Sequence, residues 1–247
     1  VVLRWLAERI GMTDQADGIL TSGGSAGNLT GLLAARQAMC GYNIWDDGAR
    51  DDSRLAFMVS EEAHYSVARA ARIMGWGDQG VVKVPVNSRM QLDASRLVET
   101  LEKAQAKGLK VIALVGNACT TSTGTYDPLS EMADFAGAHG LWFHVDGAHG
   151  GAAAMTEKYR HLTSGIERAD SVVIDFHKMM LAPALTTAVL FRNGQHSYET
   201  FAQKAEYLLS NGAKKPWYDS AGRTLECTKK MLGVKVYAMI KLYGDQL

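Results

Sequence analysis

The hydrophobic period of this chain switches repeatedly between helix-like and strand-like, and few architectures accommodate that alternation. Over residues 1–10 apolar side chains recur at helical spacing (Val2, Leu6, Ile10) and stop at Gly11. A glycine-rich turn, Ser22-Gly23-Gly24-Ser25-Ala26-Gly27-Asn28, then leads into a helix over 29–39. Residues 55–60 form a short, nearly continuous apolar run, the mark of a strand buried on both faces. Helical spacing returns over 64–74, and 80–84 reads as a strand. Asp93 is positioned as the N-cap of a helix ending before Gly108, and 110–115 is another buried strand. The alternation continues with a helix over 128–139, strands over 141–146, 171–174 and 187–191, and helical stretches over 197–209 and 224–243 around a polar loop, 210–223. Strands alternating with helices of about ten residues or more imply βαβ units. The expected fold class is therefore α/β, a three-layer α/β/α arrangement around a mostly parallel sheet.

Composition narrows the function classes. The chain has 247 residues, 47% of them hydrophobic, with 26 basic and 26 acidic side chains and a formal net charge of zero. Low hydrophobicity with high net charge, the signature of disorder, is absent. The broad positive field of a non-specific nucleic-acid binder is absent too. Cys40, Cys119 and Cys227 are odd in number and far apart, so they form neither a disulfide framework nor a CxxC zinc pair. The longest apolar stretch, 179–191, is short for a bilayer and contains Pro183, Thr186 and Thr187. No signal peptide is visible. The expectation is a soluble cytoplasmic protein without nucleic-acid or membrane partners, and one that fits an excerpt of a longer chain.

In open parallel sheets, ligands sit beyond the carboxyl ends of the strands, and three segments fall there. In the first, Gly23, Gly24 and Gly27 let backbone amides approach an anion, Ser25 adds a hydroxyl, and the following helix adds its N-terminal dipole; a plain connecting turn is the competing reading. In the second, His144 and Asp146 share one face of the strand over 141–146, before Gly147-Ala148-His149. A carboxylate at the end of a buried strand demands a cation or a strong donor; it could also cap a loop, or His144, Asp146 and His149 could hold zinc for a hydrolase. In the third, Lys178 follows His177 at a strand end among hydrophobic residues. Desolvation there makes a lysine a candidate amine nucleophile, although a lone lysine is ordinarily a surface charge. Together the three supply what pyridoxal 5'-phosphate needs: an anion site, a partner for the pyridine nitrogen and a Schiff-base amine.

At these residues the chain resembles the group II pyridoxal-phosphate-dependent amino-acid decarboxylases, among them the glutamate, 2,4-diaminobutyrate and aromatic-amino-acid enzymes. The likeness runs through Gly18 to Ser25 with Leu32-Leu33-Ala34-Ala35-Arg36, Ser60-Glu61-Glu62-Ala63-His64-Tyr65-Ser66, residues 118–127, Leu141 to Asp146, and His177-Lys178. It implies the large domain of a fold-type-I, aspartate-aminotransferase-like enzyme over 1–210, with 211–247 a mobile loop and helix leading towards a C-terminal small domain. It implies that Lys178 carries the cofactor, Asp146 pairs with the pyridine nitrogen, and His64 stacks on the ring with Ala148 near its other face. Gly24, Ser25 and His177 would hold the phosphate with Thr121 nearby, and Tyr207 would return a proton to the product carbon. It further implies a homodimer acting on an L-amino acid. Another fold-type-I lyase or aminotransferase activity, or a non-catalytic relative, stays open. Three positions depart from the family pattern: Asp175 where many relatives have asparagine, His149 where they carry a large aromatic on the substrate side, and Lys229-Lys230 in place of an arginine-rich stretch. A carboxylate at 175 near a phosphate is unfavourable unless paired.

Overall fold

Of the nine residues in Leu109–Asn117 only Lys110 reaches solvent, and this run is the longest described strand. A computed structural model of the chain describes residues 1–50, 54–201, 220–226 and 228–244. In chain order the helices are α1 (Val2–Arg9), α2 (Gly24–Met39), α3 (Ile44–Asp47), α4 (Tyr65–Ile73), α5 (Leu97–Ala106), α6 (Leu129–Ala138), α7 (Gln195–Phe201) and α8 (Gly233–Tyr243). The strands are β1 (Asp17–Thr21), β2 (Arg54–Ser60), β3 (Val81–Val84), β4 (Leu109–Asn117), β5 (Trp142–Asp146), β6 (Ser171–Asp175) and β7 (Thr187–Phe191). They form one sheet in the order β1-β7-β6-β5-β4-β2-β3. The pairs among β3, β2, β4, β5 and β6 are parallel, while β7 runs antiparallel to both β6 and β1. This is a three-layer α/β/α fold with a mostly parallel sheet, as the alternation predicts.

Strand alternation divides the core in two. Phe57 and Val59 point to the side covered by α2, α4 and α7, where Leu32, Leu33, Val67, Ala71 and Phe201 are buried. Ala56 and Met58 point to the other side, against Leu6, Leu97, Leu101, Leu129, Met132 and Val236 from α1, α5, α6 and α8. Both faces are thus sealed, which is why the strands read as continuous apolar runs rather than alternating ones.

Four boundaries differ from expectation. β1 has no counterpart in the sequence reading, because five residues opening on Asp17-Gly18 leave too short an apolar run to register. It is held as an edge strand by pairing with β7, from Asp17↔Phe191 to Thr21↔Thr187. α2 begins at Gly24, so half of the glycine-rich turn is already helix. Asp93 caps a 3-10 turn, Ala94–Arg96, before α5 begins at Leu97. Residues 224–226 and 228–232 are not helical: Thr224 is extended, and α8 starts only at Gly233. The described part of 211–247 is anchored on the same sheet. Arg223 pairs with Asp17, and Val236 is buried in the core beneath α8. Most of the polar loop and the end of the helix expected over 197–209 lie outside the described residues.

Candidate active site

Five parallel strands deliver their carboxyl ends to one edge of the sheet, and register fixes which residues meet there. Asn117 of β4 stands opposite Asp146 of β5, while Asp175 of β6 stands opposite Thr187 of β7, itself paired with Thr21 of β1. A cavity of about 320 Å³ opens at this edge. Gly24, Ser25, His64, Thr121, Asp146, Ala148, His149, His177 and Lys178 all line it, so the three segments singled out in the sequence meet in one place. Tyr207 lies outside the described residues. The cavity is also lined by Asn28, Asn117, Cys119 and Thr120, which the motif reading passed over.

Asp146 is nearly fully buried at the end of a strand with no exposed residue. Its Oδ2 accepts from Asn28 Nδ2 at 2.7 Å and its Oδ1 from the Ala148 amide at 3.1 Å. Burial pushes its carboxyl above the usual range, and these two hydrogen bonds pull the other way. Behind it, His144 is wholly buried, with Nδ1 2.7 Å from Ser171 Oγ and Nε2 3.1 Å from Asn28 Oδ1. Burial pushes this imidazole down to about 3, so it is neutral. His144 can approach α2 this closely only because residue 31 is glycine: a Cβ there would fall 2.7 Å from the ring. The zinc reading fails on the same geometry. Both ring nitrogens of His144 already have partners, His149 is exposed, and the described residues contain no group of three metal-capable side chains.

The opposite wall carries the cations. Lys178 Nζ lies 3.0 Å from Asp175 Oδ2, and its side chain is about 36% exposed. Its hydrophobic neighbours suggested a desolvated amine. They divide instead: Phe176 is fully buried in the core and Met180 half-buried, while Met179 is 47% exposed, and the lysine amine is met by a carboxylate. Asp175 is therefore paired, as its buried position demands. It also accepts from Thr187 Oγ1, with His177 Nε2 at 3.6 Å. α2 starts beside it with no side-chain cap, leaving the first backbone N–H groups free for an anion. Gly24 brings the backbone close here: a Cβ would sit 3.0 Å from the Ala148 methyl and 3.2 Å from Asp175 Oδ2, a tight fit on both sides.

His64 is the N-cap of α4: its Nδ1 accepts from the Ser66 amide at 3.3 Å and lies 2.8 Å from Ser66 Oγ. Asn117 is fixed by Asp127, which accepts from its amide nitrogen, its side chain and the Leu92 amide. Cys119 and Tyr126 both have their acid groups pushed up by burial, Tyr126 to about 12, so both stay protonated at neutral pH.

Comparison with known proteins agrees with this geometry. The family model described as the pyridoxal-dependent decarboxylase conserved domain matches residues 1–246. An aspartate 1-decarboxylase of Aliivibrio fischeri is 35% identical over 236 residues, covering 91% of this chain and 42% of the relative. An L-2,4-diaminobutyrate decarboxylase of Acinetobacter baumannii is 31% identical over 259 residues, covering 100% of this chain and 51% of the relative. The crystal structure of mouse CSAD superposes with a TM-score of 0.92 at 30% identity, over 99% of this chain and 50% of that one. The chain spans about half the length of the curated relatives it matches.

Proposed function

The chain belongs to the pyridoxal-dependent decarboxylase family, and from that premise we propose that the protein removes the α-carboxyl group of an L-amino acid as CO₂, leaving the amine, with pyridoxal 5'-phosphate as cofactor. One observation carries the reading: a lysine amine, a buried carboxylate with no cationic hydrogen-bond partner, and an uncapped helix N-terminus face a single cavity. These residues fit the cofactor. The open amides of α2 with Gly24, Ser25, His177 and Thr121 suit its phosphate, Lys178 its aldehyde, and Asp146 its ring nitrogen.

When bound, the cofactor supplies a ring that withdraws electrons from the substrate's Cα. Lys178 provides the primary amine that holds the cofactor and gives way to the substrate amine. Asp146 keeps a proton on the ring nitrogen; its burial makes that charge pair stronger than it would be in water. His64 and Ala148, which both line the cavity, would flank the cofactor ring and exclude water from it. His149, exposed at the cavity mouth, meets the substrate side chain, and Tyr207 returns the proton to Cα. The relatives named above carry an acidic and a basic substrate in their names, so substrate identity belongs to residues such as His149 rather than to the shared machinery. The protein works in the cytoplasm as a homodimer. Exposed Met179, Leu181 and Leu185 beside the cavity support an apolar contact there. Among the described residues, no helix is long and apolar enough to cross a membrane.

The test is a product assay on the full-length protein, loaded with cofactor and offered acidic, basic and aromatic L-amino acids. CO₂ with the matching amine is expected, abolished in Lys178→Ala together with the near-visible absorbance of the bound cofactor. A keto acid in place of CO₂ would make the protein an aminotransferase instead.

A further inference from the structure

Behind the cavity wall, six buried side chains from four elements form one hydrogen-bonded unit centred on Asn28. Its Nδ2 lies 2.7 Å from Asp146 Oδ2 and 2.8 Å from Ser66 Oγ, and its Oδ1 lies 3.1 Å from His144 Nε2. His144 Nδ1 meets Ser171 Oγ at 2.7 Å, which in turn takes the indole N–H of Trp142 at 2.8 Å. At its other end Ser66 Oγ lies 2.8 Å from His64 Nδ1.

The direction of every proton follows from the chemistry of the donors and acceptors. A carboxylate only accepts, so Asp146 forces the amide group of Asn28 to point its NH₂ forward and its carbonyl back. The carbonyl then requires a proton on His144 Nε2. Because that ring is neutral, its Nδ1 is bare and accepts from the Ser171 hydroxyl. The second N–H of Asn28 is spent on Ser66 Oγ, whose own proton is left for His64 Nδ1. The Ser66 amide, 3.3 Å from the same nitrogen, is a donor as well, so a proton on that nitrogen would face another N–H.

We propose that Asn28 is a positioning residue that orients the Asp146 carboxylate and, acting with Ser66, fixes the proton of His64 on Nε2. His64 then offers the cavity an N–H donor and has no free nitrogen to act as a base. The charge of Asp146 is felt across Asn28, as the tautomer of His144. Only the catalytic meaning of His64 and Asp146 rests on the proposed function; the proton arrangement belongs to this chain's own side chains.

The experiment is histidine-¹⁵N NMR on the full-length protein without cofactor, followed by a cofactor titration. With both rings in the neutral form, His64 and His144 should each show a proton on Nε2 alone. Asn28→Leu keeps the branched arrangement of side-chain atoms and removes both donor and acceptor, so His144 should become a mixture of tautomers. Cofactor affinity should fall about tenfold or more, as for one lost hydrogen bond to a charged group. Ser66→Ala, which spares the Asn28–Asp146 bond, should make the Nδ1–H form of His64 detectable and leave His144 unchanged. It serves as the reading if Asn28→Leu does not fold. A wild-type His64 protonated on Nδ1, or variants in which neither tautomer moves, would overturn the proposal. Failure of the protein to bind pyridoxal phosphate while the tautomers behave as stated would count against the proposed function alone.

Discussion

Asp146 and Asp175 end neighbouring parallel strands, both are nearly fully buried, and both face the same cavity, yet their surroundings differ in kind. Asp146 is met by neutral donors, the Asn28 amide and the Ala148 N–H. Asp175 has a lysine ammonium at 3.0 Å, a threonine hydroxyl and the start of α2. Burying a carboxylate without a cation is costly, and that burial pushes the pKa of Asp146 above the usual carboxylate range. A buried charge held by neutral dipoles is ready for a cationic ligand. One already paired is neutralised, and a ligand gains little from it. The two aspartates thus divide the labour: 146 attracts positive charge into the site, while 175 parks the lysine and offsets its own charge against it.

The sharpest way to break this contrast is to remove each charge and compare rates. Asp146→Ala should lower kcat by about 10³-fold, the scale of losing a preorganised electrostatic group in a closed site. Asp175→Asn keeps an acceptor for Thr187 and should change kcat by less than about tenfold. Steady-state CO₂ release from both variants decides it; equal losses would mean that the two carboxylates are not functionally distinct. A smaller effect probes the anion end. With the negative charge at 175 gone, repulsion towards a phosphate beside α2 falls. Asp175→Asn should therefore bind inorganic phosphate about fivefold more tightly by calorimetry. Unchanged binding would show that Lys178 already cancels that charge.

The contrast was half legible in the sequence. Asp146 and Lys178 stand out because continuous apolar strands lead straight to them, and a strand end in a parallel sheet is where ligands bind. The β2, β4, β5 and β6 runs are legible for the same reason, being buried on both faces. β1 was not, since two of its five residues are Asp17 and Gly18 and its place is set by pairing with β7. The partners that distinguish the two aspartates were hidden as well. Asn28 lies 118 positions from Asp146 and 116 from His144, and no local spacing connects them. Asn28 is polar among apolar neighbours on a buried helix face, which marks it as unusual without naming its partner. The apolar character of Phe176 and Met179 also says nothing about which way each turns: the first is buried in the core, the second exposed, and the lysine between them meets Asp175.

Stability against pH gives the smallest and most selective test of the difference. The pKa of Asp146 is higher in the folded protein than in the unfolded chain, so the folded protein holds that proton more tightly. Stability then falls as pH rises from the ordinary aspartate value towards the raised one, and is level above it. In the cofactor-free protein, wild type should gain stability on acidification through that window relative to Asp146→Ala, which has no such proton to take up. Saturating cofactor should cancel or reverse the difference, because a ring-nitrogen cation favours the ionised carboxylate. Thermal unfolding of both proteins at several pH values, with and without cofactor, reads it directly. Wild type and variant responding in parallel in the absence of cofactor would mean that Asp146 is already fully stabilised by Asn28 and Ala148, and that it does not differ from Asp175 in the way described.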